Sequence, residues 1–173
     1  MIEVTELLGD GIGPELEIAV AAVSDAIPVD LHFNKIDWTL ERRIKEGMVP
    51  ILEGEESLRT THLALKYPTI TKVESPNAIL RRRCGFSVIY RPVVSIPGIS
   101  SNFTENLNVH IVRVATGGTY DDPGQLIGDE AAVSLRIVER GPCEYAASFA
   151  FDLAKDNAWT VTSASKHTIQ RVT

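Results

Sequence analysis

Ser75, Asn77, Arg81 and Arg91 are the residues of this chain whose types and spacing combine into a binding chemistry. Asn77 and Arg81 stand four apart, so on a helix they share one face. Arg91 falls at the carboxyl end of the strand that follows, where open α/β sheets place their ligands. Two guanidiniums, a hydroxyl and an amide can therefore converge on one anion. The planar fork of arginine matches a carboxylate bidentately, so the expected ligand is a small polycarboxylate and not an apolar molecule. A plainer alternative stays open, in which Arg81, Arg82 and Arg83 are a solvated run on an ordinary helix.

The elements that must position these groups can be read around them. Ser75 and Pro76 have the form of a helix start, Ala78, Ile79 and Leu80 carry the helix forward, and Gly85 marks its end. Phe86 to Tyr90 then reads as a buried strand. Upstream, Ile2 to Leu8 alternates weakly and runs into a glycine turn, after which Leu16, Ile18, Ala19, Ala22 and Val23 recur at helical spacing. Pro14 suits a first helical turn, and the glycines let the backbone approach a ligand or a packed neighbour. The turn does not fit the G-x-G-x-x-G dinucleotide fingerprint. Val29 to Trp38 reads as a second strand, Leu40 to Glu46 as a polar helix ending at Gly47, Leu52 to Arg59 as a short helix, and His62 to Lys66 as a strand.

Beyond Pro92 the segment Val93 to Asn108 is rich in Ser, Pro, Gly and Asn and reads as a connection crossing between lobes. Val109 to Val114 and Ala131 to Val138 read as strands, Cys143 to Asn157 as an amphipathic helix, and Trp159 to Ala164 as a final strand delivering Ser165 to Ile169. Asp121 and Asp122, beside Pro123 and Gly124, fit a solvated turn better than a metal site, and no metal ligands are assigned. The alternation of strands and helices with short turns gives an α/β protein with a mostly parallel sheet. Residues 1–92 would form the first part of a large domain, and residues 93–173 part of a second, smaller lobe.

With 173 residues, 44% of them hydrophobic and 23% charged, the chain can build a genuine core. Its 17 basic and 23 acidic residues leave a formal charge of −6, which argues against nucleic acid as a partner. No apolar run reaches membrane length and no leader pattern opens the chain, so no membrane partner and a cytoplasmic location are expected. Cys84 and Cys143 lack zinc spacing and read as reduced, structural thiols.

The pattern Ser-x-Asn-x-x-x-Arg, with Arg91-Pro92 ten residues after Arg81, resembles the substrate segment of the isocitrate and isopropylmalate dehydrogenase family, nearer its isocitrate branch. Gly9-Asp10-Gly11-Ile12-Gly13-Pro14-Glu15 is similar to that family's opening. Lys66 and Thr71 match its Lys-x-Pro-x-x-Thr loop beside substrate and nicotinamide. Arg113 and Tyr120 match an arginine that binds a substrate carboxylate and a tyrosine that moves a proton. Lys166 matches a lysine that reaches into a neighbouring subunit's site as acid and base. The resemblance thus implies catalytic roles for Tyr120 and Lys166, substrate contacts for Ser75, Asn77, Arg81, Arg91 and Arg113, and cofactor contacts for Lys66 and Thr71.

The chain also departs from the family. Val114, Ala115 and Gly117 stand where polar residues are usual, Thr168 replaces an asparagine, and Glu74 brings negative charge beside the anion site. The resemblance reaches Ile169 yet spans only about the first half of a family chain. The aspartates that bind Mg²⁺ or Mn²⁺ and the adenine loop that binds NAD or NADP come later in the family and have no counterpart here. Three readings follow. One is a truncated or divergent portion of an NAD(P)-dependent, metal-dependent, β-decarboxylating isocitrate dehydrogenase, inactive alone and not binding cofactor or metal by itself. Another is a non-catalytic polycarboxylate-binding or regulatory subunit. The third is an interaction module. A homodimer, or a dimer with a related full-length subunit, is the expected assembly.

Overall fold

Val4, Thr5, Glu6 and Leu7 are buried in succession, so strand β1 (Ile2–Leu8) is covered on both faces, as the centre of a parallel sheet must be. The structure, a computed structural model, describes residues 1–72, 74–103, 106–118 and 122–173. They fall into two compact units, Met1–Cys84 and Gly85–Thr173.

In the first unit β1 leads through α1 (Gly13–Ala26) to β2 (Leu31–Asp37), then through α2 (Leu40–Glu46) and α3 (Val49–Thr61) to β3 (Ala64–Lys66). The strand order is β2-β1-β3, all parallel, with Thr5 opposite both Asn34 and Ala64. Leu7, Trp38, Ile51 and Leu80 form the core, and Ile36, Ile79 and Cys84 pack against it. Trp38 is fully buried, and its indole N–H donates to the Pro50 carbonyl at 2.6 Å, so the one polar atom of the ring is satisfied. Gly54 of α3 leaves room for that ring: a Cβ there would lie 2.9 Å from an indole carbon and 3.1 Å from a Leu7 methyl. Helix α4 (Pro76–Arg83) begins as expected, with Pro76 in its first turn and the Ser75 hydroxyl accepting from the Ala78 N–H at 3.4 Å, and Gly85 follows its end at φ 66°. Burial raises the pKa of the Cys84 thiol, with Glu55 adding to it, in keeping with an unreactive packing role.

In the second unit β4 (Val88–Val94) pairs antiparallel with β5 (Asn108–Val114) over its whole length, β6 (Gln125–Ile127) pairs with β7 (Ala131–Val133), and α5 (Arg140–Asn157) follows. Several expectations are corrected here. The strand read at Phe86 to Tyr90 starts at Val88, continues to Val94 and is largely exposed, because a two-stranded ribbon has no second strand layer to bury it. Val93 to Asn108 is not a crossing between lobes but the ends and loop of the β4–β5 hairpin. Its Ser, Pro, Gly and Asn content marks a chain reversal, and that signal is the same for a hairpin and a crossover. Ala131 to Val138 shortens to β7, with Ile137 forming an isolated bridge to Gly118. Trp159 to Ala164 is not a strand, since no neighbouring strand among the described residues offers it a ladder. The lobe change expected after Pro92 and the division after Cys84 differ because β4, which carries Arg91 and Pro92, belongs to the ladder with β5.

Gly54→Ala should gain about 1 kcal/mol of helix propensity yet lose more by overpacking Trp38, for a net destabilisation on the order of 1–2 kcal/mol in urea unfolding. A variant more stable than the parent would show that the indole is not tightly held.

Candidate anion-binding site

Asp10 sits in the turn between β1 and α1 and gathers three separate segments. One carboxylate oxygen accepts from the Leu40 N–H at 2.7 Å, at the start of α2. The other accepts from the Ile70 N–H at 2.8 Å and from the Arg43 guanidinium at 3.1 Å. Arg43 in turn donates to the Ile70 carbonyl at 2.8 Å and, through Nε, to the Trp38 carbonyl at 2.9 Å. The Asp10 N–H donates to the Pro68 carbonyl at 2.7 Å, and Gly9 permits that approach: a Cβ at Gly9 would lie 2.0 Å from the same oxygen. The loop from Tyr67 to Thr71 is therefore held from both sides by charge-assisted bonds.

Lys66 projects from the end of β3 beside this knot. Its ammonium donates to the Tyr67 carbonyl at 2.7 Å and the Thr69 hydroxyl at 3.1 Å, both uncharged acceptors. Burial pushes its pKa down to about 8, and the Arg43 and Arg81 cations push the same way against Asp10. Thr71 lies exposed at the end of the loop.

Helix α4 supplies Ser75, Asn77 and Arg81. Ser75 accepts from its helix, which leaves its hydroxyl proton to donate to an anion. Asn77 and Arg81 are partly buried. The three consecutive arginines have different fates: Arg82 pairs with Glu74 at 2.5 Å, Arg83 pairs with the buried Glu55, and Arg81 forms no ion pair among the described residues. Glu74, expected to oppose a carboxylate ligand, is thus answered by Arg82. The solvated-run alternative fits Arg82, which is half exposed, but not Arg81 beside Lys66.

In the second unit Arg91 stands opposite Ile111, and Arg113 opposite Ile89. Residues directly opposite share a face, so Arg91 and Arg113 are diagonal neighbours on one face of the hairpin, about 7–8 Å apart between Cα atoms. Both are exposed. The other face carries Tyr90 and His110, which stack at 5.8 Å, with Phe149 of α5 against Tyr90 and Trp159 against His110. The aromatic packing therefore covers one face and leaves the arginines on the other. Lys166 lies exposed in a turn, not at a strand end, its carbonyl accepting from the Ile169 and Gln170 N–H groups. Tyr120 and Asp121 lie outside the described residues.

A cavity of about 290 Å³ opens at the carboxyl ends of β1 and β2, between Gly9, Gly13 and Pro14 on one side and Asp37 and Thr39 on the other. Its charged lining groups are Glu17 and Asp37, which suit neither a polycarboxylate nor a pyrophosphate, and neither Lys66 nor Thr71 lines it. Among the described residues no three His, Cys, Asp or Glu side chains gather into a metal-binding set. The lining of this cavity thus suits no dinucleotide phosphate, whereas the positive charge around Lys66, with Arg43 and Arg81, suits a carboxylate. Asp10 and Arg43 were not singled out from the sequence. The available signal was an acid inside a glycine turn, with more acceptor capacity than the turn itself can use.

Asp10→Ala leaves the Leu40 and Ile70 N–H groups without their acceptor and Arg43 without its counter-charge, and should cost on the order of 3 kcal/mol in urea unfolding. A loss below about 1 kcal/mol would show that water replaces the carboxylate freely.

The sequence matches the family model described as isocitrate/isopropylmalate dehydrogenase over residues 3–173. It is 31% identical over 175 residues to the mitochondrial NAD isocitrate dehydrogenase subunit alpha of Homo sapiens, covering 98% of this chain and 47% of that protein. It is 30% identical over 176 residues to a mitochondrial NAD isocitrate dehydrogenase regulatory subunit of Dictyostelium discoideum, again covering 98% and 47%. The crystal structure of isocitrate dehydrogenase from Methylococcus capsulatus aligns with a TM-score of 0.87 at 27% identity, over 100% of this chain and 53% of that one. The TT0538 protein from Thermus thermophilus aligns at 0.88 and 25% identity, over 98% and 36%. The chain spans about half the length of the curated relatives it matches. With a family match that runs almost its whole length, this chain belongs to the isocitrate/isopropylmalate dehydrogenase family.

Proposed function

We propose that this chain binds isocitrate, or a closely similar 2-hydroxy polycarboxylate, through Arg81, Arg91 and Arg113, with Ser75 and Asn77 orienting the ligand. The observation that carries the reading is Arg81, a guanidinium without an ion pair among the described residues, whose charge bears on the desolvated ammonium of Lys66. The cations around Lys66 outnumber the single carboxylate of Asp10, and the net positive charge would be offset by an added anion. On this reading the chain is part of an NAD(P)-dependent, metal-dependent β-decarboxylating dehydrogenase that converts isocitrate to 2-oxoglutarate. Tyr120 and Lys166 would move protons, and Lys66 and Thr71 would face the nicotinamide. The Mg²⁺ or Mn²⁺ ligands and the adenine contacts would come from other segments or from a related subunit, so the 173 residues alone should not turn over. Assembly as a homodimer, or as a dimer with a related subunit, follows from the same reading.

A second reading, a polycarboxylate-sensing regulatory subunit, is favoured by Ala115. It is buried where the family's pattern has a polar residue, and its N–H is spent on the Ser87 carbonyl. One of the relatives is itself named a regulatory subunit.

Calorimetry with isocitrate should show binding that Arg81→Ala weakens about 10- to 100-fold, as expected for losing a charge-assisted pair, while Arg82→Ala changes it less than about two-fold. Absence of binding, or equal losses in the two variants, would remove the site. Absorbance of reduced nicotinamide at saturating isocitrate and Mg²⁺ separates the two readings when a full-length catalytic relative is added. Turnover that depends on Lys166 of this chain supports the catalytic reading. Unchanged maximal turnover with a shifted isocitrate dependence supports the regulatory one.

A further inference from the structure

Lys66 has the surroundings of a reactive amine, not those of a structural cation. It forms no ion pair among the described residues, because the nearby carboxylate, Asp10, is engaged by Arg43 and by two backbone N–H groups. Its two acceptors, the Tyr67 carbonyl and the Thr69 hydroxyl, equal in number the two N–H donors of a neutral amine and leave its lone pair unengaged. The charged groups around it are Arg43 from α2, Arg81 from α4 and Asp10 from the first turn, two cations against one anion. A lysine desolvated beside other cations is the arrangement that activates amines toward carbonyl groups.

We propose that Lys66 captures a small 2-oxo carboxylate as a reversible imine, with the ligand's carboxylate held by Arg81. The inference rests on the anion-binding reading of Arg81 given above, and extends that site from recognition to covalent capture. The neutral amine nitrogen bonds to the ligand's carbonyl carbon and the π pair moves to oxygen, which takes a proton from solvent while the nitrogen releases one to it. The carbinolamine then loses water to give the imine, so that amine and 2-oxo acid yield imine and water with no change in oxidation state. Arg81 does not react; it raises the local concentration of oxo acids over neutral aldehydes and, by its charge, favours the neutral amine. A 2-oxo acid formed from a bound 2-hydroxy acid would meet Lys66 where it is made, so capture would act as product inhibition.

The test uses the whole chain with glyoxylate and sodium cyanoborohydride at pH 8, followed by peptide mass mapping. The expected result is a carboxymethyl adduct on Lys66 at about ten-fold or more the level on Lys35, Lys45, Lys72, Lys155 and Lys166, with a labelling rate half-maximal near pH 8. Lys66→Arg should abolish that adduct while keeping the parent's circular dichroism. In Arg81→Ala the ratio of glyoxylate to propionaldehyde labelling at Lys66 should fall about ten-fold, a ratio from which the amine's own protonation cancels. Labelling spread evenly over the lysines, or an unchanged ratio in Arg81→Ala, would overturn the proposal. If Lys66 is labelled selectively but isocitrate does not compete, the capture stands and the isocitrate reading falls.

Discussion

The carboxylate of Asp10 is the constraint on which the first unit's working surface depends. A glycine turn, the start of α2 and the loop after β3 come from separate stretches of chain, and each presents N–H groups or a guanidinium that one anion can satisfy together. Their geometry is mutual. Arg43 reaches Asp10 only because α2 starts directly after Trp38, and it braces the loop only because Asp10 has already drawn Ile70 in. Lys66 inherits its position from this arrangement, since both of its acceptors belong to the braced loop.

Buried and half-buried charge in this unit divides into two kinds. Glu55 is matched by Arg59 at 2.6 Å and by Arg83, and Glu6 accepts from the Tyr67 hydroxyl at 2.5 Å. The second oxygen of Glu6 has no hydrogen bond, and Lys35 at 4.0 Å answers it by charge alone. Burial and the bond to Glu6 together raise the pKa of the Tyr67 phenol, which keeps it a donor at any physiological pH. Against these compensated groups, Lys66 and Arg81 form no ion pair among the described residues.

The second unit works with a thinner core. Ala115, Ala146 and Ala154 are its buried hydrophobic residues among those described, and packing falls instead to the stack of Tyr90, His110, Phe149 and Trp159. His110 is held at both ring nitrogens, by the Tyr90 hydroxyl at 2.5 Å and the Asn108 side chain at 2.8 Å, so the stack is fixed by polar bonds as well as by ring contact. Because strand residues alternate between faces, this stack and the pair Arg91 and Arg113 exclude each other from the same side of the hairpin.

Patterns that are local in the chain were legible in the sequence: the strand, glycine turn and helix at the start, the capped helix at Ser75, and the spacing that placed Asn77 with Arg81. Each rests on interactions within a few residues, where backbone preference and capping dominate. Which strand pairs with which was decided by tertiary contacts, so the Ser- and Pro-rich segment after Val94 became a hairpin loop and Trp159 to Ala164 found no ladder. The sequence by itself determined the family, and it supplied the residue types from which an anion site is proposed. Only the tertiary structure decided that Arg82 and Arg83 are consumed by Glu74 and Glu55 while Arg81 is not, because ion pairing depends on which carboxylates the fold brings within reach, and neighbours in sequence do not reveal that.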